Sequence, residues 1–262
     1  MSVATTGLDR IAAAFAGHGK RAAMMPYLMG GYPDLRVSAD AGLAAADAGA
    51  DLIELGAPFS DPLADGPVIH AAATEALAGG VTLHGVLGVC EQVAARVPVV
   101  LMVYTNVVLT TGPERFALRA AAAGASGLIV PDLPHDEAAE VRAACDAEGL
   151  ALVPLVAPTS TPERIADIGA GARGFVYTVS LTGVTGERSE VSTGLVDTVT
   201  RVRAATEAPV AVGFGISTPD QARTVAEIAD GVVVGSRFVR AAGEGGAGAV
   251  GEAVEEFAAA LR

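Results

Sequence analysis

Ala48-Gly-Ala-Asp51-Leu-Ile-Glu54-Leu-Gly-Ala-Pro58-Phe-Ser-Asp61-Pro-Leu-Ala-Asp65-Gly-Pro67 is the stretch on which the fold turns. A small-residue turn leads from an Ala-rich helical segment into a short apolar run, Leu52 to Leu55, which ends in a polar, proline-bearing loop. The same entrance recurs at Ala123-Gly-Ala-Ser126, Gly171-Ala-Arg-Gly174 and Ala229-Asp-Gly231, and a glycine there suits a tight exit from a helix. Working outward gives strands at Ala23 to Met29, Leu52 to Leu55, Val99 to Tyr104, Gly127 to Val130, Ala151 to Val156, Gly174 to Val179, Val210 to Phe214 and Gly231 to Val234. They repeat every 25 to 30 residues or roughly so, with amphipathic stretches between them.

Helices are expected at Val37 to Ala48, Leu83 to Arg96, Pro113 to Ala123, Asp136 to Glu148, Pro162 to Ile168, Gly194 to Thr206, Pro219 to Ile228 and Ala249 to Leu261. Thr161-Pro162 and Thr218-Pro219 each place a hydroxyl cap before a first-turn proline. Strand and helix in alternation imply parallel βα units, and eight such strands can close into a (β/α)8 TIM barrel. An open doubly wound sheet is the other arrangement that the alternation allows. Near-constant unit length, with no composition shift and no Pro/Ser-rich linker, favours a single barrel domain over 1–262 with a short N-terminal helix. The Ala/Gly-rich stretch Ala241 to Ala249 reads as a flexible connection.

Composition narrows the partners. The chain has 262 residues, is 51% hydrophobic and 18% charged, and its 17 basic against 30 acidic residues give a net charge of −13. That apolar content supports a folded core rather than disorder. The acidic balance and the lack of a Lys/Arg stripe argue against nucleic acid, and the same sign disfavours anionic membranes. The longest apolar candidate for a membrane span, Val97 to Leu109, is interrupted by Tyr104, Thr105 and Asn106. The first ten residues lack a basic region followed by an apolar one, so a cytoplasmic location is expected. Cys90 and Cys145 read as buried thiols, and His18, His70, His84 and His135 show no metal-ligand spacing.

In a barrel, reactive groups collect at the C-terminal ends of the strands. Glu54 lies in an otherwise apolar strand at that end, where burial would raise its pKa and suit it to general acid/base work. A buried structural carboxylate held by an Arg or by backbone N–H groups would look the same in sequence. Asp61 and Asp65 follow in the loop, where Ser-Asp-Pro and Asp-Gly are also ordinary turn chemistry. Glycine-bearing segments after late strands, Thr182 to Gly186, Gly213 to Ser217 and Val234 to Arg237, could present backbone N–H groups to a phosphate. Tyr27, Leu101, Tyr104, Tyr177 and Phe214 could wall a pocket for a flat ligand or simply pack the barrel. Asn106 and Asp132, just past their strands, read as structural support.

Glu54-Leu-Gly-Ala-Pro-Phe-Ser-Asp-Pro-Leu-Ala-Asp65-Gly-Pro resembles the signature of the tryptophan synthase alpha subunit family. Pro26-Tyr27, Gly30-Gly-Tyr-Pro33, Pro131-Asp-Leu-Pro134, Gly183-Val-Thr-Gly186, Gly213-Phe-Gly-Ile-Ser217 and Gly235-Ser236 extend the likeness nearly end to end. The resemblance implies a barrel enzyme that cleaves indole-3-glycerol phosphate to indole and glyceraldehyde 3-phosphate. It implies Glu54 as the acid/base and Asp65 as the partner of the indole N–H. Tyr27, Leu101, Tyr104, Leu128, Tyr177 and Phe214 would surround the indole, and Gly186, Gly215, Gly235 and Ser236 would hold the phosphate. It implies an α2β2 heterotetramer with a beta subunit that carries pyridoxal phosphate, this chain itself having no cofactor. Pro58, Asp61 and Thr185 would act in loop closure and in communication with that partner. Where many members have Ser-Arg before Gly-Val-Thr-Gly, this chain has Ser180-Leu181-Thr182, so a salt link made by that arginine is absent. A phosphate-binding barrel enzyme that needs a catalytic lysine fits less well, since Lys20 lies outside the expected barrel mouth and is the one lysine in the chain.

Overall fold

The computed structural model describes residues 5–179, 193–213 and 215–262. Its strands are β1 (Ala23–Met29), β2 (Ile53–Gly56), β3 (Val99–Met102), β4 (Gly127–Ile129), β5 (Ala151–Leu152), β6 (Leu155–Val156), β7 (Val176–Val179), β8 (Val210–Gly213) and β9 (Gly231–Val234). All pairings are parallel, in the order β5-β4-β3-β2-β1-β9-β8-β7-β6. The single strand expected over Ala151 to Val156 is divided, because Pro154 has no N–H to donate. Its first half pairs with β4 and its second with β7, so the two halves close the sheet on itself.

The register gives the closure quantitatively. Lateral neighbours run Tyr27, Glu54, Val100, Gly127, Ala151 on one side and Leu155, Tyr177, Ala211, Gly231, Ala23 on the other. The steps from Ala151 to Leu155 and from Ala23 to Tyr27 are four residues each, so a full circuit is displaced by eight. That is the stagger of an eight-stranded (β/α)8 barrel.

The helices are α1 (Gly7–Gly17), α2 (Leu35–Asp47), α3 (Pro67–Ala78), α4 (Leu83–Ala94), α5 (Thr105–Thr111), α6 (Pro113–Ala122), α7 (Ala139–Ala147), α8 (Pro162–Ala170), α9 (Thr193–Ala205), α10 (Pro219–Val225) and α11 (Ser236–Ala260). Two were missed in the sequence, α3 and α5, each lying directly after a rim loop. The helix expected from Asp136 begins as a 3-10 turn, His135–Glu137, before α7. The stretch Ala241 to Ala249 is helical, not a flexible connection, and is broken at Gly246 where φ is 62°. Its apolar neighbours explain this: Ala241, Ala242 and Val250 are buried against the body of the molecule.

Helix α1 closes the N-terminal end of the barrel. Its Ile11 is fully buried, and Phe15 packs on Phe175 with ring centroids 5.5 Å apart. Arg10 donates to the carbonyls of Ala94, Val97 and Gly124, tying α1 to the ends of two barrel units. Cys90 and Cys145 are buried free thiols, both pushed up to about 12 by burial. Among the described residues no single helix is long and apolar enough to cross a membrane.

Candidate active site

Strand alternation decides which side chains reach the barrel interior. Ala23, Met25, Tyr27 and Met29 of β1 belong to the inner cluster with Val100, Met102, Tyr104, Ile129, Val153, Tyr177, Ala211 and Val233. Leu101 and Leu128 belong to the other layer, between sheet and helices, so the expectation that they border the ligand is corrected. They are one residue out of phase, and a one-residue slip moves a side chain to the opposite face. Met102 and Ile129 occupy the interior positions beside them, which sequence reasoning missed. Because these strands are apolar on both faces, no alternation in the sequence marked which side was which.

Glu54 shares the parity of Leu52, which lies in the inner cluster, and its carboxyl therefore enters the barrel. It is 4% exposed and sits between Tyr27 of β1 and Val100 of β3 in register. Among the described residues none donates a hydrogen bond to it. Burial foremost, then the nearby Asp65 charge, push its pKa up to about 8, so it holds a proton at neutral pH. Tyr27 and Tyr177 flank it, both buried, with phenols shifted well above their ordinary range by desolvation and by the Glu54 charge among others. Each tyrosine lies across the end of a neighbouring strand at a glycine: a Cβ on Gly56 would collide with the Tyr27 hydroxyl, and one on Gly213 with that of Tyr177. Those two glycines let the phenols cross the rim.

Asp65 comes from the loop between β2 and α3. Its Oδ1 accepts a hydrogen bond from the Tyr104 hydroxyl at 3.0 Å, and that hydroxyl accepts one from the Ala64 N–H at 3.1 Å. Partial burial raises the Asp65 pKa, while the Tyr104 hydrogen bond and His70 pull it back. Phe59 of the same loop stacks on Tyr104, with centroids 4.9 Å apart. Pro58 is half-buried, whereas Asp61 is exposed and, among the described residues, accepts from Ser60 at 2.5 Å. Asp132 accepts from the N–H and hydroxyl of Thr105 at 2.8 and 2.9 Å, the support role expected of it. Asn106 is exposed at the start of α5.

Three of the phosphate candidates lie on adjacent loops: Gly215, with φ of 79°, follows β8, and Gly235 with Ser236 forms the N-terminus of α11 after β9. The Ile69 side chain of α3 and Tyr27 approach Gly235, so a Cβ there would be 3.3 Å from Ile69. Gly186, Thr185 and Phe214, and with them the Leu181 departure, lie outside the described residues. A separate cleft of about 310 Å³ between α7 and α8, lined among others by His135, Arg142 and Arg164, contains none of the candidate site residues.

A buried carboxyl on the second strand with its pKa pushed up, a second carboxylate in the next loop and glycine loops after the last two strands agree with the motif set of one family. The tryptophan synthase alpha chain model matches residues 14–260. The chain belongs to the tryptophan synthase alpha chain family. The tryptophan synthase alpha chain of Geobacter sulfurreducens is 48% identical over 259 residues, covering 97% of this chain and 98% of that one. The structure of Mycobacterium tuberculosis tryptophan synthase superposes with a TM-score of 0.90 at 42% identity, over 97% of this chain and 98% of that one. The tryptophan synthase α2β2 complex of Pyrococcus furiosus gives 0.84 at 37% identity, over 91% and 98%. Tryptophan synthase alpha chains cleave indole-3-glycerol phosphate and work with a beta subunit.

Proposed function

We propose that this chain cleaves indole-3-glycerol phosphate with Glu54 as its proton carrier and Asp65 as the anion beside the ring nitrogen. The observation that carries the reading is Glu54 itself, a buried carboxyl with no donor among the described residues, raised to about 8 and placed in the barrel mouth. A group in that state is an acid at neutral pH. It gives its proton to ring carbon C3, and the ring becomes an iminium-like cation whose N–H points at Asp65. The carboxylate left on Glu54 takes the proton of the glycerol hydroxyl on the carbon bonded to C3. A carbonyl forms there, the carbon–carbon bond breaks, and its electron pair restores the aromatic ring. Indole and glyceraldehyde 3-phosphate result, with Glu54 protonated again and no net proton consumed. Asp65 lowers the barrier because positive charge develops next to a preplaced anion in a partly water-excluded site.

Tyr27, Tyr104 and Tyr177, with Met102, Ile129 and Phe214, would enclose the indole. Gly186, Gly215, Gly235 and Ser236 would hold the phosphate through backbone N–H groups at a helix N-terminus. The chain would act as one domain in the cytoplasm, without a cofactor of its own, and pass indole to a beta subunit carrying pyridoxal phosphate. The loop from Pro58 to Pro67 is the surface offered to that partner, with Asp61 and Thr185 linking the two rim loops on closure. The test is indole release by the Glu54→Gln variant with the beta partner present. Turnover should fall by about 10³-fold, the order supplied by general acid/base catalysis, with the far-UV circular dichroism unchanged. Near wild-type turnover would contradict the assignment.

A further inference from the structure

Three contacts converge on one phenol at the rim. The Tyr104 O–H donates to Asp65 Oδ1, the Ala64 N–H donates to the Tyr104 oxygen, and the Phe59 ring stacks on the Tyr104 ring. Tyr104 is 2% exposed, while the loop it holds is open to solvent, with Leu63 85% exposed. The phenol is itself anchored from behind, since the next residue, Thr105, donates twice to Asp132. Among the described residues Asp65 Oδ2 accepts nothing, so one oxygen is committed to Tyr104 and the other is left for a ligand donor.

We propose that Tyr104 is a positioning residue, whose hydroxyl fixes the Asp65 carboxylate and its loop to the end of β3 so that the second oxygen meets the ring N–H at one place. This rests on the assignment of Asp65 above. An anion stabilises a developing cation only where it is held, and a misplacement of about 1 Å can cost on the order of 10²-fold in rate. The titratable groups facing Asp65 are Glu54 on β2, Tyr27 on β1, Tyr104 beyond β3 and His70 on α3. Of these, Tyr104 supplies its hydrogen bond, and that bond favours the ionised form.

The experiment is a double-mutant cycle in the full chain, with indole release from indole-3-glycerol phosphate measured against pH for Tyr104→Phe, Asp65→Asn and both together. Tyr104→Phe should lower kcat about tenfold, as loss of a hydrogen bond to a charged group does, while KM changes by less than about threefold. Its acidic limb should move to higher pH, and in the Asp65→Asn background it should have no further effect. A wild-type kcat, an unmoved acidic limb or an equal loss in both backgrounds would overturn the proposal. Wild-type activity in Asp65→Asn alone would instead overturn the role of Asp65. Phe59→Leu, which removes the stacking and no hydrogen bond, is the packing control and should leave the acidic limb in place; a shift there equal to that of Tyr104→Phe would also overturn the proposal.

Discussion

Asp51, two residues before β2, and Glu54, within it, are three residues apart, and the molecule treats them in opposite ways. Asp51, at the closed end, accepts from Lys20 Nζ at 2.9 Å and from the Met24 N–H at 2.7 Å, and both side chains of the ion pair are about 10% exposed. Glu54, at the open end, is as well buried and accepts from no described residue. A buried carboxylate needs a cation and donors to remain ionised; without them it keeps its proton. The first arrangement ties β1 to β2 and has nothing left to offer a ligand. The second leaves an acid facing the space where a ligand would sit.

The comparison can be broken from the closed end. Lys20→Met strands Asp51 in a mostly buried site and should destabilise the chain by about 3 kcal/mol, read from urea unfolding. Indole release per folded molecule should stay within about twofold of wild type. A large loss of turnover with unchanged stability would mean that the two ends are not separate in function.

A pH-dependent effect of similar size sharpens the open end. The unfolded chain releases the Glu54 proton near the ordinary value of 4.5, and the folded chain holds it to about 8. Between those values the unfolded state binds fewer protons, so the Glu54 contribution to stability is whole below pH 4.5 and is lost progressively toward pH 8. Glu54→Gln cannot titrate. Its Tm relative to wild type should therefore rise by about 10 °C between pH 5 and pH 8, then level off. A constant difference would place Glu54 among ordinary carboxylates.

Much of this was legible in the sequence, and what was not had definite physical reasons. The run Leu52 to Leu55 with its polar loop marked the barrel unit and set Glu54 and Asp65 near one rim, although a buried structural carboxylate or an ordinary Asp-Gly turn would have looked the same in sequence. The phase of β3 and β4 was not legible. Leu101 and Leu128 are as apolar as Met102 and Ile129, and a strand buried on both faces carries no alternation to show which side points in. Ala151 to Val156 reads as one strand in the sequence, and nothing in that run shows that it would be divided between two neighbours at Pro154. The glycines of Ala241 to Ala249 suggested a loop, yet tertiary burial of Ala241, Ala242 and Val250 keeps the segment helical on either side of Gly246.

The central claim is that the Glu54 carboxyl, buried in the barrel mouth with no donor among the described residues, keeps its proton at neutral pH. It is tested most directly by carboxyl-carbon NMR titration of the full chain labelled at glutamate, with Glu54→Gln assigning the resonance. The account predicts a Glu54 midpoint near 8. A midpoint near 4.5, the value of an ordinary glutamate, would contradict it.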